Sequence, residues 1–188
     1  MVFGDVPAKH LGLENAQVDN GRMDTTTPPH IEAEAPTPPV STPKAPAASN
    51  AHVRKSMQGN KRRDTKPEIL VRQMLREMGC PGYRLDWKKA KGHPDIAYPG
   101  RKIAIFVMGC FWHHHEGCKY ATTPKQHADY WEAKFARNKE RDIEVRAALQ
   151  EDGWHVVEIW ECELKKPNLE KTRDRLKSEI SYAFVDLD

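Results

Sequence analysis

The segment Gly109-Cys-Phe-Trp-His-His-His-Glu-Gly-Cys118 concentrates side chains that bind metals and transfer protons. It places two thiols and three imidazoles within ten residues, directly after an apolar run. Zinc in a structural role takes four Cys and His ligands in a tetrahedron. Cys110, Cys118 and one of the histidines supply three ligands, and Cys162 supplies the fourth if two strand ends lie side by side in one sheet. Ordinary buried thiols beside a polar loop are the alternative interpretation.

The three adjacent histidines of this segment, residues 113–115, cannot all face one metal ion. Neighbouring side chains in an extended or turning loop point in different directions. One imidazole can therefore bind zinc while another stays free. A free imidazole is the natural general base near neutral pH.

A second polar motif, Gly92-His-Pro-Asp95, precedes the apolar run 102–107. A carboxylate at the start of a strand is a good Mg²⁺ ligand, because magnesium prefers one or two carboxylates, waters and a substrate phosphate. Asp95 is therefore a candidate magnesium ligand. A plain turn is the alternative, since Gly, Pro and Asp all favour turns.

Aromatic residues accompany the polar loop. Phe111 and Trp112 lie inside it, where a core role is hard to arrange for both. Aromatic side chains inserted between base pairs unstack and bend DNA. Trp131 is a candidate companion, or else a core residue that faces Phe135 one helical turn later.

The elements that must position these side chains indicate a mixed α/β domain. Thr65-Lys-Pro-Glu68 is typical of a capping box, and Gly79 of a helix end. The predicted elements, in chain order, are that helix, a weak strand over 83–87, strands over 95–98 and 102–107, a helix over 126–150 with a break near Asn138, a strand over 154–160, and a last helix carrying Leu169, Leu176, Ile180 and Ala183.

Composition divides the 188 residues into an arm and a folded part. Eight of the 14 prolines lie in residues 1–50, and residues 1–52 carry a net charge of −3. A stretch so poor in large apolar residues cannot bury enough surface to fold, so we predict a disordered Pro/Ala/Thr-rich arm over 1–52. Residues 53–188 carry a net charge of +6, which favours a polyanion such as DNA or RNA, although many basic domains bind no nucleic acid.

Targeting signals are weak in this sequence. No stretch approaches the ~18 apolar residues of a membrane span, and the N-terminus lacks a basic region followed by an apolar one. These features predict a cytoplasmic protein without membrane contact. In that compartment the four cysteines are expected to be thiols or metal ligands rather than disulfides.

Taken in order, these motifs resemble those of the very short patch repair (Vsr) endonuclease family. The shared motifs are Gly92–Asp95, Gly109–His115, Asn138–Asp142, Gly153-Trp154 and Trp160–Cys162, within a similarity that runs from about residue 53 to about residue 166. The resemblance implies an endonuclease domain over 53–188. Its fold would resemble type II restriction endonucleases, with a mixed central sheet flanked by helices and a structural zinc site.

The resemblance also implies an activity and partners. The activity is a Mg²⁺-dependent nick on the 5′ side of the T in a T·G mismatch, which arises by deamination of 5-methylcytosine. The implied partners are mismatched duplex DNA, mismatch repair proteins and a cytosine methyltransferase system. A nucleoid-associated monomer is expected by the same route.

Roles for single residues follow from the same resemblance. Asp95 matches a magnesium-binding aspartate, and Val107 supplies a main-chain carbonyl to that ion. His113 matches the general base, and Glu68 an acidic residue near the active site, although Glu68 is also the capping residue described above. The implied zinc ligands are Cys110, His115, Cys118 and Cys162, with His114 as the substitute histidine.

The implied DNA contacts come from both sides of the duplex. An aromatic wedge enters one groove and an apolar residue inserts from the other side. Asp142 matches a polar position near the active site without an assigned role. The implied set of DNA-contacting residues is Met57, Phe111, Trp112, Trp131 and Asn138.

Met108 departs from the family pattern, which commonly has His or Asp just before Gly109-Cys110. A thioether is a poor Mg²⁺ ligand and carries no proton. Catalysis is the leading hypothesis, because Asp95 and His113 are both present. The two alternatives are a zinc-stabilised module that binds mismatched DNA without cutting it, and a related restriction-type endonuclease of different specificity.

Overall fold

The computed structural model describes residues 45–47 and 50–181, without the side chains of residues 52, 53, 56 and 57. The arm predicted over 1–52 therefore lies outside the described residues except for 45–47 and 50–52. The described helices are α1 (Ala51–Gly59), α2 (Lys66–Glu77), α3 (Ala128–Glu151) and α4 (Leu169–Ser181). The strands are β1 (Arg84–Leu85), β2 (Ile96–Tyr98), β3 (Ile103–Met108) and β4 (His155–Trp160).

The four strands form one mixed sheet in the order β1-β2-β3-β4. β1 and β2 pair antiparallel, as do β2 and β3. β3 and β4 pair in parallel over their whole length, from Ile103 opposite His155 to Met108 opposite Trp160. The predicted mixed sheet flanked by helices is confirmed, and the carboxyl ends of β3 and β4 meet at the same edge.

Helix α2 begins as its capping residues predict. The Thr65 hydroxyl accepts a hydrogen bond from the Glu68 amide at 3.4 Å, and the Glu68 carboxylate accepts from the Thr65 hydroxyl at 2.7 Å. The other carboxylate oxygen accepts from the Asp64 amide at 3.0 Å, one residue earlier than in a standard capping box. The helix ends at Glu77, and Gly79 follows with a φ of 73°.

Helix α3 is continuous, so the predicted break near Asn138 is wrong. The helix runs over 24 residues from Ala128 to Glu151. The side chain of Asn138 does not compete for the helix backbone, because its Nδ2 donates to the carbonyl of Trp112 at 2.7 Å. The residues that follow contain neither Gly nor Pro, so nothing interrupts the helical hydrogen bonds.

The core has one layer on each face of the sheet. Successive residues of β3 point to opposite faces. Ile103 and Ile105 pack with side chains of α2 and α4, while Ala104 packs with Leu149 of α3. The two layers fix α2 and α3 on opposite sides of the sheet edge where β3 ends.

Within the described residues, no helix combines the length and the apolar character that crossing a membrane requires.

The loop before β2 touches helix α3 at a glycine. Gly92 has a φ of +76°, and a Cβ atom there would lie 2.3 Å from Cγ1 of Val145. Gly82 has a φ of +90° with nothing within 4 Å of such a Cβ. The two glycines therefore share a left-handed backbone but differ in packing.

We expect Gly92→Ala to destabilise the protein more than Gly82→Ala. In the Gly82 variant the cost is the steric strain of a Cβ atom at positive φ, about 1–2 kcal/mol. The Gly92 variant must in addition displace the Val145 side chain, at a further cost of about 1–3 kcal/mol. Urea unfolding of both variants measures the difference, and equal losses would contradict the close packing of this loop on α3.

Candidate active site and metal centre

Three cysteines and one histidine meet at the sheet edge where β3 and β4 end. The ligand atoms of Cys110, His115, Cys118 and Cys162 all lie within 4.8 Å of one another. Cys110 comes two residues after Met108, and Cys162 two residues after Trp160, which is paired with Met108. The parallel register of the two strands therefore brings these two thiols together.

The structure places His115, and not His114, in this cluster. The Nδ1 atom of His115 lies 3.4 Å from Sγ of Cys162 and 3.7 Å from Sγ of Cys110. Its ring stacks on the Trp160 indole at a centroid distance of 3.9 Å and an angle of 5°. His114 points elsewhere, with Nε2 3.2 Å from the Thr123 hydroxyl.

The donor chemistry of the cluster fits a tetrahedral metal ion. Zinc–sulfur bonds of about 2.3 Å and zinc–nitrogen bonds of about 2.0 Å place the ligand atoms of one ion just under 4 Å apart, close to the spacing seen here. Burial raises the pKa of the Cys110 thiol to about 12, so a thiolate at this position needs a nearby cation. The cluster can hold a metal ion.

A carboxylate that sequence reasoning missed holds the turn carrying Cys162. Glu163 accepts a hydrogen bond from the Trp160 amide at 2.7 Å and pairs with Arg175 of α4 at 3.0 Å. The Glu163 carbonyl accepts from the Thr172 hydroxyl at 2.8 Å. These bonds tie the metal-binding turn to helix α4.

A cleft of about 1030 Å³ adjoins this cluster. Residues of α2, α3 and the loop before β2 line it, together with the end of β3. The site residues predicted from the sequence that line the cleft are Glu68, Asp95, Val107, Trp112 and His113. The structure therefore brings the implied magnesium ligand and the implied base to one cavity.

Asp95 is a largely buried carboxylate with one free oxygen. Its Oδ2 accepts a hydrogen bond from the Val107 amide at 2.8 Å, and no hydrogen bond to Oδ1 is found among the described residues. The pKa of Asp95 is raised to about 6, chiefly because the carboxyl is buried; the hydrogen bond from the Val107 amide lowers this pKa and the negative charge of Glu68 raises it. A carboxylate that is costly to ionise in isolation is well suited to bind a cation.

His113 is oriented by a second carboxylate. Its Nδ1 lies 2.5 Å from Oδ2 of Asp142, and both side chains are about four-fifths buried. Because a carboxylate only accepts hydrogen bonds, Nδ1 carries the proton and Nε2 carries the lone pair. Nε2 is therefore the nitrogen that the contact with Asp142 leaves for other partners.

The sequence assigns no role to Asp142, although its spacing from Asn138 is a signal. Asn138 and Asp142 lie four residues apart, which puts them on the same face of α3. Asn138 binds the Trp112 carbonyl and Asp142 binds the His113 ring, so this face aligns the segment after β3. The spacing predicts that Asn138 and Asp142 share a face of the helix, but it does not predict which residues that face contacts.

Glu68 has two roles at once. It caps α2 through Thr65 and Asp64, and it also lines the cleft near Asp95. Its capping contacts fix the carboxylate at the N-terminus of α2. The two interpretations weighed from the sequence are therefore compatible.

The aromatic side chains form one cluster beside the cleft. The Phe111 ring lies 5.1 Å from Trp112 and 5.2 Å from Trp131, while Trp131 also contacts the buried Phe135 at 5.7 Å. Trp112 is 37% exposed. Trp131 thus joins the exposed aromatic group to the core. Met57 lies in α1, and its side chain is outside the described part of the chain.

Comparisons with known proteins point to one family. Residues 48–119 match the model of the family described as DNA mismatch endonuclease Vsr. The type II nicking enzyme V.XorIIP of Xanthomonas oryzae pv. oryzae is 44% identical over 108 residues, which cover 57% of this chain and 78% of the relative. The DNA mismatch endonuclease Vsr of Escherichia coli is 35% identical over 111 residues, which cover 59% of this chain and 70% of the relative.

This chain belongs to the Vsr family. A further relative, the type II nicking enzyme V.NmeAIP of Neisseria meningitidis, is 40% identical over 122 residues, which cover 64% of this chain and 86% of the relative. The mixed sheet flanked by helices is the restriction-endonuclease-like fold of the Vsr family. The resemblance drawn from the motifs is confirmed.

Met108 is the residue that the sequence analysis sets apart from the expected family pattern. It is the last residue of β3, it is 6% exposed, and it lines the cleft next to Val107. Its thioether adds an apolar surface to the cleft wall. Among the site residues predicted from the sequence, Asp95, His113 and Glu68 bring ionisable side chains to the same cleft.

We expect the cluster to bind one zinc ion, and Cys162→Ser to abolish that binding and to lower the thermal unfolding temperature of this Vsr-family protein. The free energy of structural zinc binding is part of the free energy of folding. Cys80→Ser is the matched control, because Cys80 lies after α2 and is not a member of the cluster. Metal analysis of the purified proteins should find about one zinc per chain in the wild type and the control. Equal zinc content in all three proteins would contradict the assignment of the cluster.

Proposed function

We propose that this protein is a Mg²⁺-dependent, strand-specific nicking endonuclease that cuts 5′ of the T in T·G mismatches left by deamination of 5-methylcytosine. The observation that carries the proposal is the cleft, which places the buried Asp95 carboxylate and the His113–Asp142 pair together. Membership of the Vsr family makes the protein a DNA endonuclease. The names of its relatives, nicking enzymes and a mismatch endonuclease, support nicking and mismatch repair as its activity.

Asp95 and the main-chain carbonyl of Val107 would hold the magnesium ion. The free Oδ1 of Asp95 faces no competing donor among the described residues, and its pKa near 6 leaves it largely ionised at neutral pH. When bound, Mg²⁺ neutralises the charge that builds on the phosphate during hydrolysis. The negative charge of Glu68 lies nearby and increases the attraction of the site for a divalent cation.

His113 acts as the general base. Its Nε2 takes a proton from the attacking water while Nδ1 remains bonded to Asp142. The Asp142 carboxylate stabilises the imidazolium that forms and keeps the ring in place. The water oxygen adds to phosphorus, the P–O bond to the leaving strand end breaks, and the leaving oxygen takes a proton from solvent water, so that one strand of the duplex is nicked.

The Cys110, His115, Cys118 and Cys162 cluster holds a structural zinc ion in this proposal. Four protein ligands leave no open position for a substrate, as in other structural sites. The cluster fixes the segment after β3 to the turn after β4. His113 lies within that segment, so the zinc site sets the position of the base.

The aromatic cluster selects the mismatch. Phe111, Trp112 and Trp131 wedge into the duplex from one side, and Met57 inserts from the other. Asn138 holds the Trp112 backbone in place for this contact. A mismatched pair stacks less well than a normal one, so opening it costs less.

The wider setting follows from the same proposal. The protein would act as a monomer on duplex DNA, in the cytoplasm and at the nucleoid. Its partners would be mismatch repair proteins and a cytosine methyltransferase system that creates the 5-methylcytosine. The N-terminal arm over 1–52 would remain outside the endonuclease domain.

Met108 favours one alternative, a protein that binds mismatched DNA without cutting it. The thioether occupies a cleft position where a polar group would assist phosphate or metal. A related restriction-type endonuclease with a different target is the second alternative, because this fold hosts many specificities.

The proposed function is tested with a labelled duplex that carries one T·G pair in a methyltransferase-type site. We expect a single nick 5′ of the T with Mg²⁺, and none with EDTA in a protein that keeps its zinc. Matched T·A and C·G duplexes serve as controls and should stay intact. Denaturing electrophoresis of each labelled strand identifies the strand and the position of the cut.

Each other outcome selects an alternative. Binding of the mismatched duplex without a nick supports the binding module and makes Met108→His and Met108→Asp the variants to test for gain of cutting. Equal cutting of matched and mismatched duplexes supports a restriction-type endonuclease and contradicts mismatch repair.

A further inference from the structure

Two exposed segments meet at one edge of the cleft. Residues 61–63 follow α1, and the loop 86–93 leads into Asp95. Arg63 pairs with Asp86 at 3.3 Å, which joins the two segments. Both segments contribute residues to the cleft wall. We call their basic residues the basic rim: Lys61, Arg62, Arg63, Lys88, Lys89 and Lys91.

Most of the positive charge on the basic rim is uncompensated. Within residues 50–181, no carboxylate lies within 4 Å of the charged groups of Lys61, Arg62, Lys88, Lys89 or Lys91, and all five residues are exposed. The neighbouring acids are already occupied. Asp64 pairs with Arg72 at 2.7 Å and Asp86 pairs with Arg63. The rim therefore presents five exposed cations beside the cleft that no carboxylate of residues 50–181 pairs with.

The loop that carries three of these lysines is held in place by its own hydrogen bonds. The amides of Asp86 and Trp87 donate to the carbonyls of Asp95 and Pro94 at 3.3 and 3.2 Å. Gly92 rests against Val145 of α3, and Lys89 lies 5.5 Å from the centre of the Trp87 ring. A loop fixed in this way loses little entropy when it binds a ligand.

The distance along the chain limits how far the backbone of Lys91 lies from the cut site. Lys91 precedes Asp95 by four residues, so their Cα atoms are at most about 14 Å apart. DNA rises about 3.4 Å per nucleotide, so the reach corresponds to about four base pairs. Lysines in such a position bind phosphates as point charges and carry no base information.

We propose that the basic rim binds backbone phosphates of duplex DNA within a few base pairs of the phosphate held at Asp95, and so supplies sequence-independent affinity on one flank of the cut site. The proposal rests on the proposed function, since it needs the cleft to hold DNA. It adds a contact surface that the catalytic residues and the aromatic wedge do not provide.

The test compares two double variants of equal net charge. Lys88→Gln with Lys91→Gln removes two rim charges and leaves Lys89 on Trp87. Lys171→Gln with Lys177→Gln removes two exposed lysines of α4, which contributes no residue to the cleft among the described residues. Binding of a T·G duplex and of its matched duplex is measured by fluorescence anisotropy at several salt concentrations.

The rim variant should lose affinity for both duplexes by the same factor, because phosphate contacts are blind to sequence. Its slope of log K against log salt should be shallower than that of the wild type by about 1.8, or about 0.9 per lost phosphate contact. The α4 variant should keep the wild-type slope.

Two results would overturn the proposal, and they are distinguishable. A rim variant with the slope of the α4 variant shows that the rim is not a phosphate contact while DNA binding itself stands. A wild-type protein that binds neither duplex removes the proposed function and the rim together.

Discussion

The parallel pairing of β3 with β4 is the interaction on which the rest of the site depends. Its register pairs Met108 with Trp160, so the two strands end side by side at the same edge of the sheet. Cys110 and Cys162 each follow two residues later and therefore lie close together. His115 stacks on Trp160 and completes the contact with both thiols. A shift of one residue would turn alternate side chains to the wrong face and separate the ligands. The metal cluster and the strand pairing therefore stabilise each other.

Two ionisable groups with different surroundings, Asp95 and His113, lie in the cleft at the same sheet edge. Asp95 is buried enough for its pKa to rise to about 6, whereas His113 is bonded to the carboxylate of Asp142. The first group is costly to charge unless a cation is present, and the second is oriented by a hydrogen bond at Nδ1. Helix α3 orients the segment that contains His113. One face of the helix carries both Asp142, which binds the His113 ring, and Asn138, which binds the Trp112 carbonyl. Contacts from this one helix therefore fix the position of His113 relative to the Trp112 backbone.

Local signals in the sequence predict much of this fold. The capping residues at Thr65 and the turn at Pro99-Gly100 predict the correct elements, and reasoning from strand ends brings Cys162 to Cys110. The break predicted near Asn138 is wrong because a single residue of modest helix propensity does not outweigh a long run of helix formers. The choice between His114 and His115 depends on loop direction, and the bond between His113 and Asp142 spans 29 residues. Contacts of this kind depend on tertiary packing, which periodicity and propensity do not encode.

The most direct test of the proposed chemistry is a comparison of binding and single-turnover nicking by wild-type protein and by Asp95→Asn, on one T·G duplex in the same Mg²⁺ buffer. The amide keeps the size and the acceptor for the Val107 amide but loses the charge. Loss of a metal-ligating carboxylate is worth several kcal/mol, so the nicking rate should fall on the order of a thousandfold while binding is retained. Asp174→Asn, an exposed acid of α4, should leave both unchanged. Nicking by Asp95→Asn at the wild-type rate would contradict the assignment of Asp95 as the magnesium ligand and with it the proposed active site.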